Sequence, residues 1–148
     1  MATTATISIS SDIAGSYFGG ITKTMTLTKA GALTDIDETT GFSRRRLTST
    51  SAVDLITMAD ASLLLETSDN TSAKVFIQNI GDGKGKISKE NYVTISIGDT
   101  GGTPQEVGRL YGGDWLMMPV TGVDDQDIVA TPSKDDAVVL EYVMFFEV

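Results

Sequence analysis

Residues 137–148 read Ala-Val-Val-Leu-Glu-Tyr-Val-Met-Phe-Phe-Glu-Val, the most apolar segment of the chain. Every second residue from Val138 to Val148 is apolar, the period of a β-strand with one buried face. The alternate face mixes apolar and acidic side chains: Ala137, Val139, Glu141, Val143, Phe145 and Glu147. Because an exposed apolar strand would aggregate, we expect this strand in the middle of a sheet or against another subunit. The mixed face suits a subunit interface, with Val143 and Phe145 as contact residues.

The strand signal recurs upstream of this segment. Period-two patterns occupy residues 6–10, 23–29 and 91–97, and residues 73–80 indicate a strand that is apolar on both faces, with glycine-containing turns between several of these segments. Residues 32–41 resemble a polar loop, and residues 59–66 are compatible with one or two helical turns. Without a sustained helical period, the pattern predicts an all-β protein, an antiparallel β-sandwich of jelly-roll-like type. We expect one domain over residues 1–148, with residues 1–12 as a candidate extended N-terminal arm.

Composition narrows the functional class. The 148 residues include no His and no Cys, which excludes disulfides, Cys-ligated zinc and the usual His general base. We therefore expect no enzyme activity and no cofactor.

The net charge of −9 repels nucleic acid phosphates, so a nucleic acid partner is not expected. No apolar run approaches the ~20 residues of a membrane-spanning helix, and residues 1–12 lack signal-peptide features. These features predict no membrane partner and synthesis in the cytoplasm.

One basic cluster stands out in this acidic chain. Arg44, Arg45 and Arg46 are consecutive, and three adjacent arginines do not fit a core. The cluster indicates either a solvated edge strand or a strand that meets an acidic partner surface.

Aromatic and glycine-rich segments offer further candidates. Tyr111 and Trp115 flank a Gly-Gly turn, which suits either a platform for a sugar ring or a core or subunit contact. Residues 81–86 (Gly-Asp-Gly-Lys-Gly-Lys) lack the first Gly and the final Ser/Thr of a phosphate loop, so a hairpin loop is the better interpretation. Asp124, Asp125 and Asp127 form either a solvated acidic turn or a cation site, without EF-hand spacing.

Several short motifs occur in a characteristic order: Lys-Val-Phe-Ile-Gln-Asn at 74–79, Arg-Leu-Tyr-Gly-Gly-Asp-Trp at 109–115 and Val-Leu-Glu-Tyr at 139–142. In these motifs the chain resembles the small β-rich virion proteins of tailed bacteriophages, particularly marine and cyanobacterial phages. The resemblance covers most of the chain and implies a virion component. Its motifs are short and structural, so they do not specify which component.

Within that class, a small acidic sandwich resembles head decoration or cement proteins. The resemblance implies a homo-oligomer, commonly a trimer, that sits on the particle surface and contacts the major capsid protein or another virion protein. Tail, neck and fibre components, or a host-glycan-binding module, are the alternatives. Neither coiled-coil heptads nor collagen-like repeats are present, which favours a compact head protein over a fibre.

Overall fold

A computed structural model describes residues 4–9, 21–26, 36–39, 42–58, 72–121 and 126–147 of the chain. The elements with described bounds are all strands: β1 (Thr4–Ile9), β2 (Ile21–Thr26), β3 (Ile36–Thr39), β4 (Ser43–Leu47), β5 (Val53–Ile56), β6 (Ser72–Asn79), β7 (Tyr92–Ile97), β8 (Gln105–Tyr111), β9 (Trp115–Thr121), β10 (Ile128–Pro132) and β11 (Val138–Glu147). The predicted helical turns at 59–66 lie outside the described residues.

The strands form two main antiparallel sheets and a separate β1-β2 pair. One main sheet has four strands in the order β5-β10-β7-β8. The other has five: β9 and β6 lie on one side of β11, and β3 and β4 pair with successive parts of its other side. This arrangement confirms the predicted all-β antiparallel sandwich. Residues 36–39 form β3, so the prediction of a loop throughout 32–41 was wrong, because pairing with β11 outweighs a polar local sequence.

β11 lies inside its sheet, as its apolar pattern predicts. Its residues Val138, Leu140 and Met144 belong to one buried cluster to which both sheets contribute. The central members are Val75, Ile77, Val93, Ile95, Ile128, Ala130, Val138, Leu140 and Met144. Full burial of each large aliphatic side chain contributes about 1.5–3 kcal/mol. The alternation of β11 therefore turns its odd-numbered residues to the outer face of the sandwich.

Two of the connections that carry the chain between the sheets position the candidate sites. Residues 80–91 join β6 of the five-stranded sheet to β7 of the four-stranded sheet, so the expected hairpin loop at 81–86 was wrong. Before leaving β11, this segment still pairs with it: the Ile80 N–H donates to the Val139 carbonyl (2.9 Å) and the Val139 N–H to the Gly81 carbonyl (2.7 Å). The short turn at 112–114 also crosses between the sheets, from β8 to β9.

Candidate functional site: two outer faces and an end cavity

The outer side of the five-stranded sheet, here called the tryptophan face, is defined by Phe42, Arg44, Phe76, Trp115 and Val143. Directly opposed residues of antiparallel strands share a side of the sheet. Val143 lies opposite Phe76, and Phe76 lies opposite Met117. The neighbouring row runs from Arg44 through Glu141 and Gln78 to Trp115. The mixed side of β11 thus forms the middle of a face that four strands build together.

Three aromatic rings cross this face in contact with one another. The Phe42 and Phe76 ring centroids are 6.3 Å apart in an edge-on arrangement, and those of Phe76 and Trp115 are 6.0 Å apart. Phe42 is 72% exposed and Trp115 is 41% exposed, so the ends of the row offer apolar area to solvent. Phe42 was not among the contact residues predicted from the sequence. Side chains alternate between the two faces of a strand, so Phe42 and Arg44, two residues apart, are expected on the same face. This alternation could have identified Phe42.

Val143 and Phe145, the predicted contact residues of β11, differ in exposure. Val143 is only 1% exposed, so its side chain packs within the chain and offers almost no contact area. Phe145 is half-buried. The exposed aromatic surface on this face therefore belongs to Phe42 and Trp115. Neither residue is part of β11, the strand for which the sequence predicted contact residues.

The three arginines lie on β4, which in the described part of the chain pairs only with β11. All three side chains are exposed, and within the described ranges β4 lies at an edge of its sheet. Arg44 and Arg46 lie opposite Glu141 and Val139 on the tryptophan face, whereas Arg45 lies opposite Leu140 on the other side. The Arg44 guanidinium forms an ion pair with the Glu141 carboxylate. One of the acidic residues on the mixed face of β11 therefore has its charge partner on the neighbouring strand. Whether the cluster also meets a partner stays a prediction.

Tyr111 and Trp115 do not form one platform. Tyr111 ends β8 in the four-stranded sheet and Trp115 begins β9 in the five-stranded sheet, so their rings lie on opposite outer faces of the sandwich. The turn between them is fixed by hydrogen bonds. The Tyr111 N–H donates to the Asp114 carboxylate (3.0 Å), and the Asp114 N–H donates to the Tyr111 carbonyl (2.9 Å). The predicted joint sugar platform was wrong. A Gly-Gly turn can connect two strands of one sheet or two strands of different sheets, and the local sequence does not distinguish these cases.

The outer side of the four-stranded sheet, here called the tyrosine face, is defined by Tyr92, Thr94, Arg109 and Tyr111. The Tyr92 and Tyr111 ring centroids are 5.2 Å apart, and the Arg109 guanidinium lies 5.1 Å from the Tyr92 centroid. Arg109 also pairs with Glu106 at 3.0 Å, and this carboxylate raises the pKa of Arg109. Tyr111 is 39% exposed. The face thus presents a pair of phenol rings held by a charged pair.

A cavity of about 270 Å³ opens at the end of the sandwich where Tyr92 and Tyr111 pair. Its polar lining residues are Asn79, Asp82, Lys86, Ser88, Asn91 and Asp136. Asn79 and Asn91 are 1% and 3% exposed. The Asn79 side chain donates to the Leu110 carbonyl and accepts from the Gly81 N–H, both at 2.9 Å. Two of the polar lining residues are therefore buried, and Asn79 is fixed by buried hydrogen bonds, whereas Lys86 and Asp136 are exposed.

The glycine-rich segment beside this cavity binds its own carboxylate. The backbone N–H groups of Lys84 and Lys86 donate to Asp82 Oδ1 at 2.7 and 3.0 Å, and these bonds lower the pKa of Asp82. In a phosphate loop, backbone N–H groups converge on a bound anion in this way. Because Asp82 accepts two of these donors, the geometry agrees with rejecting a phosphate loop.

The acidic segment at 124–127 is described only in part. Asp124 and Asp125 lie outside the described residues, and Asp127 Oδ1 accepts the Met58 N–H at 2.7 Å. In the described ranges, no group of three or more acidic side chains is arranged to hold a metal ion. The same ranges contain no helix that is long and apolar enough to cross a membrane.

Comparisons with known proteins identify no relative: no family model, no curated protein and no solved structure matches the chain. The functional assignment therefore depends on the two faces, the cavity and the motifs of the sequence.

Proposed function

We propose that the protein is a non-enzymatic structural component of a tailed-phage virion. In this proposal it is a head decoration or cement protein that attaches to the assembled shell through the tryptophan face and β4. The observation that carries the proposal is that exposed Phe42 and Trp115 lie on the same face as exposed Arg44 and Arg46, next to the edge strand that also carries exposed Arg45. The motifs at 74–79, 109–115 and 139–142 resemble those of phage virion proteins, and this resemblance is the reason for proposing a phage particle.

The composition of the face supports adhesion to a protein. Aromatic residues and arginine are enriched at protein interfaces, and they are the residue types that most often dominate binding energy. Phe42 is the most exposed large apolar residue in the described part of the chain. Its burial against a partner would contribute up to about 1.5–3 kcal/mol, far more than a single exposed ion pair.

Charge indicates what kind of surface this partner presents. Glu141 pairs with Arg44, which leaves Arg45 and Arg46 as exposed cations on β4. A two-fold contact through β4 would place the arginines of two copies against each other, which is unfavourable. An acidic surface of the major capsid protein, or of another virion protein, complements the strand instead. The trimer implied by the resemblance uses heterologous contacts, in which β4 need not meet itself.

A binding assay with matched variants tests this function. Shells of the encoding phage, assembled without this chain, are mixed with purified protein and sedimented. The double variant Phe42→Ser/Trp115→Ser removes the exposed apolar ends of the face and is expected to abolish co-sedimentation while the melting temperature changes little. Tyr111→Ser is the control, because Tyr111 is as exposed as Trp115 but lies on the other face. Undiminished sedimentation of the double variant would contradict the proposal.

Tail, neck and fibre positions are the alternatives within the virion. They are distinguished by offering isolated tails and isolated shells to the same protein. The proposal requires saturable binding to shells, and binding to tails alone would assign the chain to the tail.

A further inference from the structure

The end cavity and the tyrosine face adjoin each other along the chain. Asn91 and Gly112 line the cavity, and each is the chain neighbour of a paired tyrosine, Tyr92 or Tyr111. We infer that the cavity and Tyr111 together form a binding site for a neutral saccharide. This inference goes beyond the proposed function, since it concerns the opposite face of the sandwich from the one assigned to the shell.

The polar side chains of the cavity include both hydrogen-bond donors and hydrogen-bond acceptors. A side-chain amide has two donor hydrogens and two acceptor positions, of which Asn79 uses one each. Asn91 likewise accepts from the Ser133 hydroxyl (3.0 Å) and donates to the Asp136 carbonyl (3.4 Å). Ser88 Oγ accepts two backbone N–H groups, so its own hydrogen is directed elsewhere. Sugar hydroxyls, which both donate and accept, match such a mixed set.

The charges and size of the cavity narrow the ligand class. Asp82 and Asp136 contribute two carboxylates and Lys86 one ammonium group, a net charge of −1. This sign opposes phosphates, uronic acids and sialic acids, and it leaves neutral sugars as the favoured class. The volume of about 270 Å³ falls just below the ~300–1,000 Å³ of typical small-molecule sites, so it suits one sugar ring.

The tyrosine pair supplies the apolar contact that a sugar ring requires. Tyr111 is partly exposed and packs on Tyr92, and the Arg109 guanidinium lies over the Tyr92 ring. An aromatic ring fixed in this way loses little conformational entropy on binding. The C–H side of a sugar at the cavity mouth, or of the next ring in an oligosaccharide, can pack on Tyr111.

The test is titration of the full-length protein with three neutral probes, the methyl glycosides of glucose, galactose and N-acetylglucosamine. NMR follows the side-chain amide signals of Asn79 and Asn91, with N-acetylneuraminic acid as the charged comparison. At least one neutral probe is expected to give saturable shifts of these two amides, with the acidic sugar about tenfold weaker or more, equivalent to ~1.4 kcal/mol. The absence of saturable shifts with all three neutral probes at millimolar concentration would overturn the inference.

Variants separate this site from the adhesive face. Tyr111→Ala is expected to weaken the best neutral probe about tenfold or more, and Tyr111→Phe, which keeps the ring, is expected to retain binding. Trp115→Ala is the matched control, with similar exposure on the opposite face, and is expected to bind as the parent does. Equal binding by Tyr111→Ala, with its fold verified by thermal melting, would also overturn the inference. Shell attachment, measured separately, does not depend on this outcome.

Discussion

The tryptophan face and the tyrosine face are built alike, as outer sides of antiparallel sheets with a row of aromatic rings, but their surroundings differ. Phe42 and Trp115 are exposed beside the arginines of β4, on a face that four strands build together. Tyr111 carries a hydroxyl, lies near an Arg109–Glu106 pair and is followed by Gly112, which lines a cavity. An apolar and basic surface suits a large protein partner, whereas phenol rings beside a polar cavity suit a small hydroxylated ligand.

The largest expected effect distinguishes the two sides of β11 itself. Leu140→Ala removes a fully buried side chain between the sheets and is expected to lower the free energy of unfolding by about 2–5 kcal/mol. Phe145→Ala is expected to cost less, because Phe145 is half-buried on the outer side. Urea denaturation of both variants measures the difference. An equal or larger loss for Phe145→Ala would mean that the outer side of β11 is as much a core as the inner side.

A second prediction concerns the wall of the cavity. Gly81 has φ of +77°, and an added Cβ would lie 2.3 Å from the Lys86 carbonyl oxygen, whereas Gly85 has φ of +93° with nothing within 4 Å. Gly85→Ala is expected to cost about 1–2 kcal/mol from the left-handed backbone alone. Gly81→Ala should cost more, because the backbone clash is added. Thermal melts of the pair test this order, and equal melting temperatures would contradict the close approach at Gly81.

The arginine strand is expected to affect binding much more than stability. Replacement of Arg44, Arg45 and Arg46 by Ser removes one exposed ion pair, which contributes about 0–1 kcal/mol, so the melting temperature should change little. Association with shells should slow, and its dependence on salt should weaken, because clustered charges steer encounter. Stopped-flow or surface-binding kinetics at two ionic strengths measure this. An unchanged association rate at low salt would identify the arginines as a solvated edge.

The smallest effect is the titration of Asp82. Its pKa is below the ordinary value of ~3.9 because the Lys84 and Lys86 N–H groups donate to the carboxylate. A depressed folded-state pKa contributes stability above the unfolded-state pKa, and this contribution is lost as the pH falls through the folded-state value. The amide shifts of Lys84 and Lys86 should therefore titrate with a midpoint below ~3.9. A midpoint at or above that value would contradict the loop geometry.

The sequence predicted the fold well where a pattern was long and local. The ten-residue alternation of β11 identified both the sandwich and a strand inside a sheet, and three adjacent arginines identified an edge. The site was predicted less well because it depends on which sheet each strand joins. Tyr111 and Trp115 are four residues apart in sequence and lie on opposite faces. The cavity brings together Asn79, Asn91 and Asp136 from distant segments, which no local spacing reveals.

The central claim is that the two faces have separate partners, and for the proposed virion role an image reconstruction of the assembled particle tests it most directly. The account predicts density for the protein on the head, with Phe42, Trp115 and the β4 arginines against the shell and with Tyr111 and the end cavity open to solvent. Density with the tyrosine face buried against the shell, or with the protein absent from the head, would contradict it.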